Sequence, residues 1–183
     1  MEKRSPNGDC GRARMRDVSY VHRGTAKVLL HFIFVLTAAL HSLPASAQKV
    51  RISNLTDVNY GLITNLQADS RRSQSFCLFD TGGSGTYSVS ASGSGSGSSF
   101  ALANGPTSLA YDVEWSDRSG QTLGTRLTPN VAMTGQTSAA TQQFCNAGPS
   151  SSASLMIVLR SADLEQAREG SYSGSLTLLI AAE

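Results

Sequence analysis

The chain has 183 residues, 15% of them charged, and a formal net charge of +2. That positive balance sits in the first 47 residues, which hold seven of the fifteen Lys/Arg and three of the thirteen Asp/Glu; residues 48–183 carry eight basic and ten acidic side chains, a net of −2. The body of the chain therefore lacks the electrostatic footprint of a nucleic-acid binder, and its 136 residues fit one domain able to bury its own core.

In chain order, residues 1–22 are basic and polar, and Met15 is an alternative start to Met1. An apolar run over 28–40 (VLLHFIFVLTAAL) follows Arg23 and Lys27 and precedes Pro44-Ala45-Ser46-Ala47. Positive flank, short apolar core and an A-x-A ending make a secretory signal, with cleavage expected between Ala47 and Gln48. Thirteen residues at the helical rise reach about 20 Å, short of a bilayer's roughly 30 Å hydrocarbon core, so no membrane span is expected in the exported chain.

Export sets the cysteine chemistry. Cys10 lies in the leader, and the remaining two, Cys77 and Cys145, are expected to pair in an oxidising compartment. The three histidines, His22, His31 and His41, also fall before residue 48. Without histidine, residues 48–183 cannot build Ser-His-Asp or Cys-His machinery or a His-containing metal site, and neither an enzyme nor a cofactor is expected.

Residues 49–55 (KVRISNL) alternate Val50 and Ile52 against Arg51 and Ser53, a strand with one buried face. A second strand is expected over 58–63, with Gly61 marking a bulge or a close approach, then a polar loop over 65–73 with Arg71 and Arg72 in solvent. Residues 75–79 form the strand that carries Cys77. Tyr87–Ala91 alternates as a strand, and the Gly/Ser run 93–99 reads as a long mobile loop. No helix follows that run, so it is not a phosphate-binding loop.

A short strand over 100–105 ends in a turn. Residues 109–115 (LAYDVEW) put Tyr111, Val113 and Trp115 on one face and Asp112 and Glu114 on the other, which reads as solvent-exposed rather than as paired catalytic or calcium-binding carboxylates with Asp117. A return over 121–127, a short strand at 130–133 and a polar loop over 134–141 lead to Cys145. Residues 154–160 (SLMIVLR) are apolar on both faces, the pattern of a central strand that carries Leu155 and Ile157.

A helical crossover is expected over 161–170, with Ser161 as N-cap and Gly170 as stop. The last strand, within 170–183, places Leu176, Leu178 and Ile180 on one face, and Leu179 makes the other face apolar too, as in a strand buried in a sandwich. Short strands punctuated by turns every 8–12 residues, with one helical turn, predict an all-β antiparallel sandwich. What covers the far side of that last strand is the open question, and the expected answer is another polypeptide.

Four stretches together, LTDVNYGLI, GGSGTYSVSASGSGSG, LANG with LAYDVEWSD, and SLMIVLRSADLEQAREGSYSGSLTLLIAAE, resemble the spore coat protein U family. That family includes subunits of Csu-type pili, the archaic branch of chaperone–usher fimbriae. The resemblance spans nearly all of 48–183 and implies an incomplete immunoglobulin-like (pilin-type) fold lacking its final strand. A periplasmic chaperone would lend that strand before another subunit supplies it in the fibre, after passage through an outer-membrane usher. It further implies a groove beside the last strand, lined by Leu155, Ile157, Leu176, Leu178 and Ile180, and a Glu183 carboxylate held by the chaperone's basic residues. Val50, Ile52 and Leu55 are then either a donor strand for a neighbour or the chain's own first strand. The expected location is the periplasm in transit and then the cell surface, with a role in adhesion and biofilm formation. The competing reading is a stand-alone adhesin or carbohydrate-binding module using Tyr111, Trp115 and the Gly/Ser loop.

Overall fold

The computed structural model describes residues 50–81 and 85–183; the leader and the cleavage site at Ala47 and Gln48 lie outside them. Ten strands form an antiparallel sandwich of immunoglobulin-like kind: β1 (Val50–Ser53), β2 (Ser70–Asp80), β3 (Thr86–Gly93), β4 (Ala101–Asn104), β5 (Thr107–Ala110), β6 (Asp112–Ser116), β7 (Thr125–Arg126), β8 (Met133–Thr137), β9 (Ala153–Leu159) and β10 (Leu176–Ala182). One sheet runs β1-β2-β9-β6-β7, the facing sheet runs β10-β3-β8, and β4 with β5 forms a separate hairpin.

The two-residue period explains what meets in the middle. Phe76 and Leu78 of β2, Val113 and Trp115 of β6, and Leu155, Ile157 and Leu159 of β9 project from the large sheet. Tyr87, Val89 and Ala91 of β3 meet them from the small one. Trp115 lies at the centre, 1% exposed, with ring centroids 5.4 Å from Phe76 and 6.3 Å from Tyr87. Every residue of β9 is buried, because β2 and β6 flank it and both of its faces are covered.

The fold departs from the sequence reading in several places. Residues 58–63 are not a strand: the Gly61 N–H turns back to Asn59 Oδ1 at 2.8 Å, with φ +64 at the glycine, and no neighbouring strand ladders with the segment. Arg71 and Arg72 belong to β2 rather than to a loop, because Ser70–Phe76 pairs with β9 through to Ala153. The strand expected at 130–133 falls later, in β8, which ladders with β3. The return over 121–127 shrinks to the two residues of β7.

The Gly/Ser run is folded rather than a long loop. It forms a 3-10 turn over Ser96–Ser98, closed by the Gly95 N–H donating to Ser99 O at 3.0 Å. A Cβ on Gly93 would lie 2.1 Å from Ser99 O, so here glycine permits a close approach of backbone. The helix, α1 (Ser161–Leu164), is one turn long, and Arg160 rather than Ser161 occupies its N-cap. No side chain of its own caps it; the Ser161 N–H instead donates to Asp69 Oδ1 at 2.9 Å from across the fold.

The disulfide joins Cys77 of β2 to Cys145 in the connection after β8, with 5.8 Å between Cα atoms. Around it that connection is stitched to β2: the Ser152 hydroxyl accepts from the Leu78 N–H at 2.9 Å and donates to Leu78 O at 2.7 Å, and Ser138 also donates to Leu78 O.

Candidate functional site

β10 is an edge strand. It ladders with β3 from Leu176 opposite Gly93 to Ala182 opposite Tyr87, and among the described residues no strand pairs with its other side. Leu176, Leu178 and Ile180 turn inward and pack on the core, while Leu179 is 67% exposed. This corrects the expectation of a strand buried on both faces: the second apolar face looks outward.

Beside that open edge lies a cleft of about 1010 Å³. Its floor is aliphatic, with Leu155, Ile157 and Leu159 of β9, and Leu176 and Leu178 form its β10 wall. Tyr111, stacked on Phe100 at 5.7 Å between centroids, and the hairpin residues Leu102 and Leu109 close one end. Four of the five groove residues drawn from the resemblance thus line one cavity. Ile180 packs on the core beyond it.

The opposite rim is residues 55–66, an irregular stretch that makes no ladder. Tyr60 is its deepest polar group, its hydroxyl donating to Ile157 O at 2.6 Å. Burial pushes the Tyr60 hydroxyl up to about 12 against the pull of Arg72, so it stays a donor at ordinary pH.

Among the described residues, the β10 edge carries no guard within its own strand. Exposed edges are commonly blunted by charge, proline or a bulge that twists them away. β10 (LTLLIAA) has no charge and no proline, and its sheet partners β3 (TYSVSASG) and β8 (MTGQT) carry no charged side chain either.

Val50 and Ile52 sit in β1, laddered to β2 with Val50 opposite Asp80 and Ile52 opposite Leu78, and pack on the core. Within this chain they are its own first strand; Leu55, just beyond, lies 40% exposed at the cleft rim. Glu183 lies at the end of β10: its N–H donates to Thr86 O at 3.0 Å, and its Oε2 accepts from the Gly135 N–H at 2.9 Å.

Asp112 and Glu114 are not solvent-facing. They are 5% and 6% exposed on the outer face of the large sheet, inside a cluster of arginines. Arg71 grips Glu114 with two bonds of 2.6 and 3.0 Å, and Arg160 reaches Asp112 at 2.6 Å and Asp69 at 2.8 Å, while Arg126 also pairs with Asp112. Bonds from Arg71 hold the Glu114 carboxyl below its ordinary range, helped by the Gly124 N–H and opposed by burial. Bidentate pairing with Arg71 holds Glu114 in its ionised form, which makes it a poor proton carrier. Sequence reading missed this cluster because Arg71 and Arg160 stand 43 and 46 residues from Glu114. Asp117 turns elsewhere, accepting from the Thr137 hydroxyl at 2.9 Å.

Among the described residues no group of three metal-ligating side chains comes together, and no helix is long and apolar enough to cross a membrane. No family model matches the chain, and no curated protein matches it. A solved structure described as "Chaperone-tip adhesin complex is vital for synergistic activation of CFA/I fimbriae biogenesis" is similar at 15% identity, covering 74% of this chain and 41% of that one, with a TM-score of 0.48. This chain therefore spans about two fifths of that chain's length.

Proposed function

We propose that this protein is an exported structural subunit completed by a β-strand from another polypeptide, in a Csu-type chaperone–usher fimbria that serves surface adhesion and biofilm formation. The observation that carries the reading is the unpaired β10 edge, without charge or proline, along an aliphatic cleft. A small apolar ligand would fill the cavity but leave the backbone groups of that edge without partners. An added strand satisfies both needs, laddering with β10 and placing every second side chain on the floor of Leu155 and Ile157. Each aliphatic side chain so buried gains about 1.5–3 kcal/mol.

In this reading a periplasmic chaperone supplies the strand first and a neighbouring subunit supplies it in the fibre, with an outer-membrane usher between the two. The protein has no catalytic role and needs no cofactor. The stand-alone carbohydrate-binding alternative loses its best platform, since Trp115 is in the core and Tyr111 is 6% exposed.

The test is expression with and without a cognate chaperone. Alone, the exported chain self-associates or is degraded; co-expressed, it purifies as a one-to-one heterodimer. A monodisperse, thermally robust monomer obtained alone overturns the proposal.

A further inference from the structure

Residues 54–69 follow β1 without forming a strand and line the cleft over much of their length. What holds them is mostly polar. Gln74 grips Thr56 three ways: its Oε1 accepts from the Thr56 N–H at 3.0 Å and hydroxyl at 3.1 Å, and its Nε2 donates to Thr56 O at 3.0 Å. Further on, the Tyr60 hydroxyl donates to Ile157 O, and the Arg72 guanidinium lies 5.5 Å from the Tyr60 ring centroid. Tyr60 and Ile63 pack on the core, but Leu62 is 89% exposed, and Val58 and Leu66 are exposed as well. At its far end Asp69 is tied to Arg160 and Ser161. Between Thr56 and Asp69, however, the stretch is pinned by a few bonds of modest net worth with little apolar burial, so it opens more easily than the sheets around it.

We propose that residues 54–69 are a strap along the strand-accepting cleft, and that Tyr60 is the latch that must release Ile157 before an added strand seats. This rests on the strand-addition reading. Ile157 lines the cleft floor, so the phenol that bonds its carbonyl stands where an incoming strand must pass.

The probe is a Lys-capped eleven-residue peptide alternating Val and Thr, added to the exported chain refolded by rapid dilution below the concentration at which it self-associates, and followed by hydrogen exchange with mass spectrometry. The peptide protects β10 amides in the wild type, and Tyr60→Phe accelerates that protection about fivefold, the ratio for losing one hydrogen bond of about 1 kcal/mol. Without peptide, Tyr60→Phe also speeds exchange over 57–66. Equal rates in both proteins, with β10 protected in each, overturn the latch and leave strand addition standing. Absence of β10 protection in every variant overturns strand addition, and the latch with it. Should Tyr60→Phe fail to fold, Arg72→Gln decides: faster protection supports the latch, and an unchanged rate overturns it.

Discussion

At the scale of single residues, the carboxylate–arginine cluster on the outer face of the large sheet makes the sharpest claim. Bonds from Arg71 hold the Glu114 carboxyl below its ordinary value of 4.5 in the folded protein. A depressed carboxylate pKa adds stability that is present above the unfolded value and is lost as pH falls through the folded one. Glu114→Gln should therefore cost roughly 3 kcal/mol at neutral pH, with the gap to wild type shrinking steadily below about pH 5. Urea midpoints across a pH series, taken on a chain completed by an appended strand, measure this, and a gap independent of pH would show that Glu114 is held by something other than charge. Trp115 makes the complementary prediction from the core: Trp115→Ala should cost about 3–5 kcal/mol by leaving a cavity between Phe76 and Tyr87. A carbohydrate platform would instead lose binding and keep its stability.

Among the elements, β2 and β10 differ in how they are secured. β2 is laddered on both sides and tied to the connection after β8 by the Cys77–Cys145 bridge, which closes a separation of 68 residues. In the same strand-completed chain, replacing both cysteines by alanine should lower stability by about 4 kcal/mol in the chain-entropy account, read as a fall in urea midpoint that reductant reproduces in the cysteine-bearing parent. β10 has one ladder and half-buried side chains, so its fate depends on its neighbour. Leu178→Asp puts a charge on the cleft wall; it should abolish heterodimer formation with a chaperone, whereas the outward Leu179→Asp should leave it nearly intact. Equal effects of the two substitutions would mean that the inner face of β10 is not the docking surface.

For the whole molecule, the prediction concerns completeness. An alternating Val/Thr strand appended after Glu183 through an Asn-Gly turn can fold back antiparallel onto the β10 edge. The fused protein should be a monomer whose thermal unfolding is shifted upward by ten degrees or more, about what several kcal/mol of added stability gives in a domain of this size. A fusion that still self-associates, with an unchanged midpoint, would show that the edge is not what limits the fold. Residues 48–183, read as sequence, already specified an all-β sandwich, β9 as a fully buried central strand and the inward set Leu176, Leu178 and Ile180, because a two-residue period and an apolar run are local signals that the chain itself carries. They also provided the two cysteines, by count, and β1 by alternation. The rest depended on residues far apart in the chain. Whether Leu179 is covered, whether Asp112 and Glu114 meet water or arginine, and whether 58–63 ladders or straps are settled by which neighbour lies across the gap. Burial and pairing are properties of two elements together, so the open edge and its cleft exist only in the assembled fold.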